Sequence, residues 1–210
     1  MQCKICQNDK LVELTIGNIY YYCSKCGLIF IDPEFIVSPE KERSRYEEHN
    51  NDFNNKGYVN MFNKFIDKTV RPYIESIDKA LDFGCGPGLV LAEILQKEGI
   101  KVDIYDPYFF PDKIFAGKKY DLITATEVFE HLQEPFSIME TLINHLNSGG
   151  YLAIMTNFHP GVDKFKDWYY HRDITHITFY NPKSLMCLVS QFPVRKVFDD
   201  NESYFLAQKY

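Results

Sequence analysis

Apolar and polar positions divide the chain into three stretches with different periods. In the first, Leu11-Val12-Glu13-Leu14-Thr15-Ile16 and Ile19-Tyr20-Tyr21-Tyr22 flank Gly17-Asn18. Two short β-prone runs about such a turn predict a hairpin. In the second, Ser38-Pro39-Glu40-Lys41 supplies an N-cap, a first-turn proline and an early acid, which predicts a helix start. Asn50-Asn51-Asp52 and Asn54-Asn55 interrupt it, and Tyr58, Met61, Phe62, Phe65 and Ile66 then recur at helical spacing until Arg71-Pro72. In the third, strand and helix periods alternate. Strands are expected at 80–83, 100–106, from Tyr120, and from Tyr151 to Thr156; helices are expected at 89–98, 135–146 and after Asn181-Pro182. Asn147-Ser148-Gly149-Gly150 reads as a turn, and Val194 to Asp199 with Tyr204 to Lys209 as a closing hairpin. The expectation is an α/β fold, mostly parallel, with an antiparallel C-terminal hairpin.

Composition narrows this picture modestly. At 210 residues and 45% hydrophobic, the chain is long enough for one α/β core and a small accessory unit. No apolar run approaches the roughly 20 residues of a membrane helix, and the N-terminus lacks the pattern of a secretion signal. A cytoplasmic protein without a membrane partner is expected. The net charge of -6 argues against nucleic acid as the main partner. The 15 tyrosines and 17 phenylalanines suit aromatic-lined pockets and an aromatic core alike.

The cysteines change the picture more. Cys3-Lys4-Ile5-Cys6 and Cys23-Ser24-Lys25-Cys26 are two C-x-x-C steps sixteen residues apart, bracketing the predicted hairpin. Each step aims two thiolates at one point, and four sulfurs at about 2.3 Å complete the tetrahedron that zinc accepts. Residues 1–32 are therefore expected to form a zinc ribbon. With four thiolates the metal has no open position, so its role is structural. A redox pair would need a thioredoxin-like context that a hairpin does not provide.

In the third stretch, Leu81-Asp82-Phe83-Gly84-Cys85-Gly86-Pro87-Gly88 places a glycine-rich loop between a strand and a helix. Such a loop lets backbone approach a ligand closely, and the helix behind it offers free N–H groups. The next strand ends on Asp106, a carboxylate suited to the ribose hydroxyls of an adenosyl ligand. The loop lacks the second half of the dinucleotide fingerprint, which argues against a nicotinamide enzyme.

Residues 81–88 resemble motif I of the class I S-adenosylmethionine-dependent methyltransferases, and the pattern extends over most of residues 1–200, resembling the small bacterial subgroup with an N-terminal zinc ribbon. The resemblance implies a Rossmann-like sheet over 76–210, a helical connector and lid over 33–75, and S-adenosylmethionine as cofactor beside the structural zinc. It places Asp82, Gly84, Cys85, Gly86, Gly88 and Asp106 around the cofactor. Tyr120 to Leu132, with its Glu127-Val128-Phe129-Glu130-His131 continuation, resembles the family's fourth strand, which adds Thr126 and Glu127 to that set. Trp168 to Tyr180 resembles the segment over the acceptor pocket. It implies His176 as a proton-transfer candidate and Trp168, Arg172 and Tyr180 as acceptor contacts. Asn157, at the end of the strand Tyr151 to Thr156, is a further acceptor-contact candidate, and His131, one turn beyond the fourth strand, is a proton-transfer candidate with an orienting or packing role as the alternative. The alternative for Arg172, Asp173 and His176 is that they tie the loop down by mutual hydrogen bonds. Tyr46, His49 and Asn50 are lid candidates, with a solvated loop as the alternative.

One departure stands out. The family spends about 30 residues on a helix and a third strand after the ribose acid, whereas only thirteen separate Asp106 from Tyr120. The third strand is thus expected to be shortened or missing, and Tyr108, Phe109 or Phe110 to supply an aromatic wall. Three functions fit the sequence: methylation of a small, metabolite or sugar-like acceptor; methylation of RNA or protein docked through the ribbon; and binding of an adenosyl ligand without chemistry.

Overall fold

In a computed structural model of the protein, which describes residues 1–48 and 52–210, the hairpin forms where the pattern predicts it. Strands β1 (Leu11–Ile16) and β2 (Asn18–Cys23) pair antiparallel, and β3 (Ile29–Ile31) pairs with β2. The fourth strand of this sheet comes from far along the chain: β8 (Thr178–Phe179) pairs with β3. The N-terminal unit is thus tied to the segment that precedes the last helix.

Helix α1 (Pro39–Glu47) starts at its predicted cap, Ser38, whose hydroxyl accepts from the Lys41 N–H. Helix α2 (Lys56–Thr69) follows, capped by Asn55. His49 and Asn50 lie outside the described residues.

The central sheet runs β5 (Lys101–Tyr105), β4 (Lys79–Phe83), β6 (Tyr120–Thr126), β7 (Leu146–Met155), β10 (Tyr204–Lys209), β9 (Val194–Asp199). Strands β5, β4, β6 and β7 are parallel, and β10 is antiparallel to both its neighbours. Helices cover both faces because successive strand residues point opposite ways. On one face Ala80, Leu122 and Ala153 pack with Phe65 and Ile66 of α2 and Leu91 and Leu95 of α3 (Val90–Lys97). On the other, Leu81, Ile123 and Ile154 pack with Leu142 of α4 (Pro135–His145) and Leu185 and Leu188 of α6 (Pro182–Val189). Cys3, Ile5, Leu28 and Phe30 belong to this second core, so the cysteine unit shares its apolar interior with the main domain.

Residues 107–119 carry no strand beyond an isolated bridge between Asp106 and Phe110, so β5 ends the sheet where a third strand would otherwise continue it. One expectation is corrected. The turn read at 147–150 is part of β7, whose Leu146 pairs with Tyr120 before a register shift. Gly150 sits where a Cβ would come 3.0 Å from the Tyr120 and Asn147 carbonyl oxygens, so its lack of a side chain admits the bulge. Among the described residues no helix is long and apolar enough to cross a membrane.

Candidate active site

The carboxyl ends of β4, β5 and β6 open on a cavity of about 580 Å³, the place where open parallel sheets bind ligands. Asp82, Gly84, Cys85, Gly86, Asp106, Thr126 and Glu127 line it, whereas Gly88 does not. The turn after β4 is held against β5 by the Gly84 and Cys85 N–H groups, which donate to the Tyr105 carbonyl at 2.7 and 3.1 Å. Gly84 has a φ of 76°, and a Cβ there would meet Val128 Cγ2 at 2.3 Å. Glycine is therefore required on conformational and steric grounds. Asp82 is buried beneath the loop and accepts from the Thr124 hydroxyl at 2.9 Å. Burial pushes its carboxyl up to about 7, with the charge of Asp106 adding to the effect and the Thr124 hydroxyl opposing it.

Asp106 binds the two loops together. One carboxylate oxygen accepts from the Tyr108 and Phe109 N–H groups and the other from the Gly86 N–H. A carboxylate has about four lone-pair directions, so capacity for a further donor remains. The turn it caps brings Tyr108 and Phe109 onto the cavity wall, while Phe110 does not line it. These residues fit an adenosyl ligand: a glycine backbone that admits close approach, an acid at the strand end and an aromatic wall.

Opposite chemistry gathers after β6. Glu127 adopts φ 53°, a left-handed conformation unusual outside glycine, and its N–H donates to the Met155 carbonyl at 2.8 Å. Tyr170 donates its hydroxyl to Glu130 Oε1 and lies 3.0 Å from Glu127 Oε2. One phenol proton is shared between two buried carboxylates and cannot fully satisfy both, which favours the neutral form of Glu127. Burial, and then the charge of Glu130, accordingly hold the Glu127 carboxyl well above the usual range. His131 and His176 both face the cavity, with ring centroids 4.8 Å apart. His176 is brought there by the Ile177 N–H donating to the Glu130 carbonyl and the Thr178 hydroxyl to the Leu132 carbonyl, each at 2.8 Å. Burial keeps the His176 imidazole below its ordinary value.

Helix α1 closes the remaining side. Glu42 accepts the Tyr46 hydroxyl at 2.5 Å and the Tyr108 hydroxyl at 2.8 Å, and Tyr46 packs edge-on against His131 at 5.2 Å. Arg45 donates twice to Asp173 Oδ2, at 3.1 and 2.9 Å. The loop at 173 is therefore tied down by Arg45 and by the Thr175 N–H and hydroxyl, with Arg172 exposed instead.

Four expected acceptor contacts lie off this cavity. Tyr180 is fully buried beside Phe129, Trp168 packs on Phe165 and Phe179, and Asn157 Nδ2 reaches the Tyr169 hydroxyl at 3.5 Å. Arg172 lines a separate hollow against the hairpin, with Asn18 and Lys41. Aromatic content drew attention to this segment, but most of its rings fill core. Sequence reasoning missed Glu42 and Arg45, which stand in no local motif, and Thr124, which lies inside the fourth-strand segment but was not singled out within it.

At the other end of the molecule, Sγ atoms of Cys3, Cys6, Cys23 and Cys26 all lie within 4.8 Å of one another. Cys3 and Cys26, and likewise Cys6 and Cys23, are 3.5 Å apart. That is close to the edge, about 3.8 Å, of a tetrahedron with metal–sulfur distances of about 2.3 Å, and well beyond a disulfide's roughly 2.05 Å. The donor set and spacing fit a zinc ion.

Comparison with known proteins agrees with this geometry. Residues 46–192 match a family described as a methyltransferase domain. No curated protein matches the chain. Among solved structures, an O-methyltransferase family protein from Burkholderia thailandensis is 13% identical, with a TM-score of 0.51 over 80% of this chain and 62% of its own. The mitomycin 7-O-methyltransferase MmcR is 12% identical, with a TM-score of 0.50 over 64% of this chain and 49% of its own. The plantazolicin methyltransferase BpumL, solved with a monoazolic desmethylPZN analog and SAH, is 14% identical, with a TM-score of 0.52 over 81% of this chain and 90% of its own. This chain thus spans less than two thirds of the first two proteins. The glycine turn above a buried Asp82, the strand-end acid and the family match lead to one conclusion: the chain belongs to the methyltransferase-domain family.

Proposed function

We propose that this enzyme methylates a small-molecule acceptor held beneath α1, against His131 and His176. The observation that carries the reading is that the glycine turn and the histidine wall open on one cavity, which α1 covers through Glu42 and Tyr46. A covered cavity of this size suits a metabolite-sized acceptor. The similar structures include the mitomycin 7-O-methyltransferase and the plantazolicin methyltransferase, the latter in complex with a monoazolic desmethylPZN analog and SAH.

S-adenosylmethionine supplies an activated methyl group on sulfur, with a neutral thioether as leaving group. Gly84, Cys85 and Gly86 receive the amino acid end, with Asp82 setting the turn from below. Asp106 takes the ribose hydroxyls, and Thr126 and Glu127 complete that wall. Tyr108 and Phe109 replace the contacts that a third strand region would otherwise give. The chain's main contribution is to hold donor and acceptor in line and keep water out. An acceptor that must lose a proton would lose it at the His131–His176 wall. Glu42, Tyr46 and Tyr108 take over the acceptor contacts expected of Asn157, Trp168, Arg172 and Tyr180.

Cys3, Cys6, Cys23 and Cys26 hold a structural zinc, and we place the protein in the cytoplasm, where thiolates stay reduced. The test combines calorimetry with S-adenosylhomocysteine and transfer of labelled methyl from the donor to a cell extract. Label is expected in the low-mass fraction. Label in RNA or protein, or failure to bind S-adenosylhomocysteine, would overturn the reading.

A further inference from the structure

Glu130, His131 and His176 each offer one ligand atom within 4.8 Å of the other two. Glu130 is fully buried, and its Oε1 is occupied by the Tyr170 hydroxyl, yet its Oε2 has no hydrogen-bond partner among the described residues. An unsatisfied buried carboxylate oxygen is a substantial penalty unless something binds it.

The two imidazoles are oriented from outside the cluster. His131 Nδ1 lies 2.9 Å from the Thr175 carbonyl oxygen, and His176 Nδ1 lies 2.7 Å from the Tyr170 carbonyl oxygen. A carbonyl only accepts, so each Nδ1 carries a proton, and the neutral imidazole then turns the lone pair of its Nε2 away from that carbonyl. Imidazoles whose far N–H is held by a carbonyl in this way are set up as metal ligands. Two lone pairs and a carboxylate oxygen cannot bond to one another without a proton or a cation between them.

We propose that Glu130, His131 and His176 form a second metal site, for a divalent transition ion, separate from the four cysteines and facing the donor cavity. Two nitrogens and one oxygen suit Zn²⁺, Co²⁺, Mn²⁺ or Fe²⁺ better than Ca²⁺ or Mg²⁺, which prefer all-oxygen shells. Three protein ligands leave coordination positions open, and both histidines line the cavity. This selects an acceptor with a hydroxyl group, a refinement that rests on the methyltransferase reading above, whereas ion binding itself does not. Coordination lowers the hydroxyl pKa, so with an ion bound the proton leaves to solvent, and His131 and His176 act as ligands in place of the base. The oxygen then forms its bond to the methyl carbon as the sulfur–methyl bond breaks, and the neutral thioether departs.

Cobalt(II) titration of the full chain, carrying its cysteine-bound metal, tests the site. One equivalent should bind with visible bands that lack thiolate-to-cobalt charge transfer, and paramagnetic shifts should reach the His131 and His176 rings before those of His145, His159 and His171. Glu130→Gln and His176→Ala should each weaken binding at least tenfold while S-adenosylhomocysteine still binds. No cobalt binding outside the cysteines at millimolar concentration, shifts centred on other histidines, or unchanged affinity in both variants would overturn the proposal. The ring shifts are read on the unmodified protein, so they decide even if a variant fails to fold. Loss of S-adenosylhomocysteine binding by the unmodified chain would instead count against the donor site, whatever cobalt does.

Discussion

The proposed donor and acceptor halves of the cavity are built in different ways. Asp82, Gly84, Asp106 and Thr126 sit at or just past the ends of three adjacent parallel strands, whose register fixes their relative positions. The acceptor half is assembled from distant pieces. It takes Glu42 and Tyr46 from α1, His131 from a short turn, and His176 from a loop pinned by Arg45 and by the two-residue strand β8. Because β8 pairs with β3 of the cysteine unit, the ribbon supports the acceptor half directly and the donor half only through the shared core. A parallel sheet thus fixes one of the two proposed sites, while long-range contacts fix the other.

The strongest way to break this contrast is to empty the proposed zinc site at the cysteines. Cys26→Ser should release zinc and cost several kcal/mol, since structural zinc in small domains contributes on the order of 10 kcal/mol of folding energy. For a chain of this length that is a fall in melting temperature of roughly 10 °C or more. Below the new melting point, amide exchange should rise at residues 168–180 while S-adenosylhomocysteine affinity changes little. Parallel loss of donor affinity would show that the two halves form one unit.

Gly84→Ala should sharpen the contrast from the other side. The added methyl meets Val128 and demands a φ of 76°, a left-handed backbone that costs about 1–2 kcal/mol before any clash. Donor affinity measured by calorimetry should fall at least about tenfold, given 1.4 kcal/mol per decade. Melting temperature and exchange at 168–180 should move less than in Cys26→Ser. An unchanged donor affinity would mean that the turn relaxes away from Val128.

The same contrast explains what could be read from the sequence. The cysteine pairs, the hairpin, the capped helices and the glycine turn were legible because each is specified within a few residues. The missing third strand was legible from the thirteen residues between Asp106 and Tyr120, too few for a helix and a strand. The acceptor half was legible only in part. Sequence reading singled out His131 and His176, but Asp173 pairs with Arg45, 128 residues away, and no local period marks that pair. Nor can composition separate a core tyrosine such as Tyr180 from a pocket tyrosine such as Tyr108. The turn at 147–150 failed for a related reason: Asn-Ser-Gly-Gly is turn chemistry, and only the pairing of β7 with β6 makes it a bulge.

The smallest effect concerns how α1 is held. Two polar links attach it, Glu42 with Tyr108 and Arg45 with Asp173, beside the packing of Tyr46 on His131 and Tyr108. The Arg45 side chain is 37% exposed and that of Asp173 13%, so the ion pair is partly screened and worth on the order of 1 kcal/mol. Removing it with Arg45→Gln should therefore raise amide exchange across residues 39–47 by about fivefold, since 1.4 kcal/mol is a factor of ten. The Glu42–Tyr108 link remains, so the helix should stay in place most of the time. Donor affinity should hold, because no donor residue touches this pair, and melting should shift by only about 2–4 °C. Unchanged exchange would assign the closure to the Glu42–Tyr108 link and the packing of Tyr46. Exchange raised equally at residues 84–89 would mean that covering the acceptor also orders the donor turn, and the two halves would then be coupled through the lid.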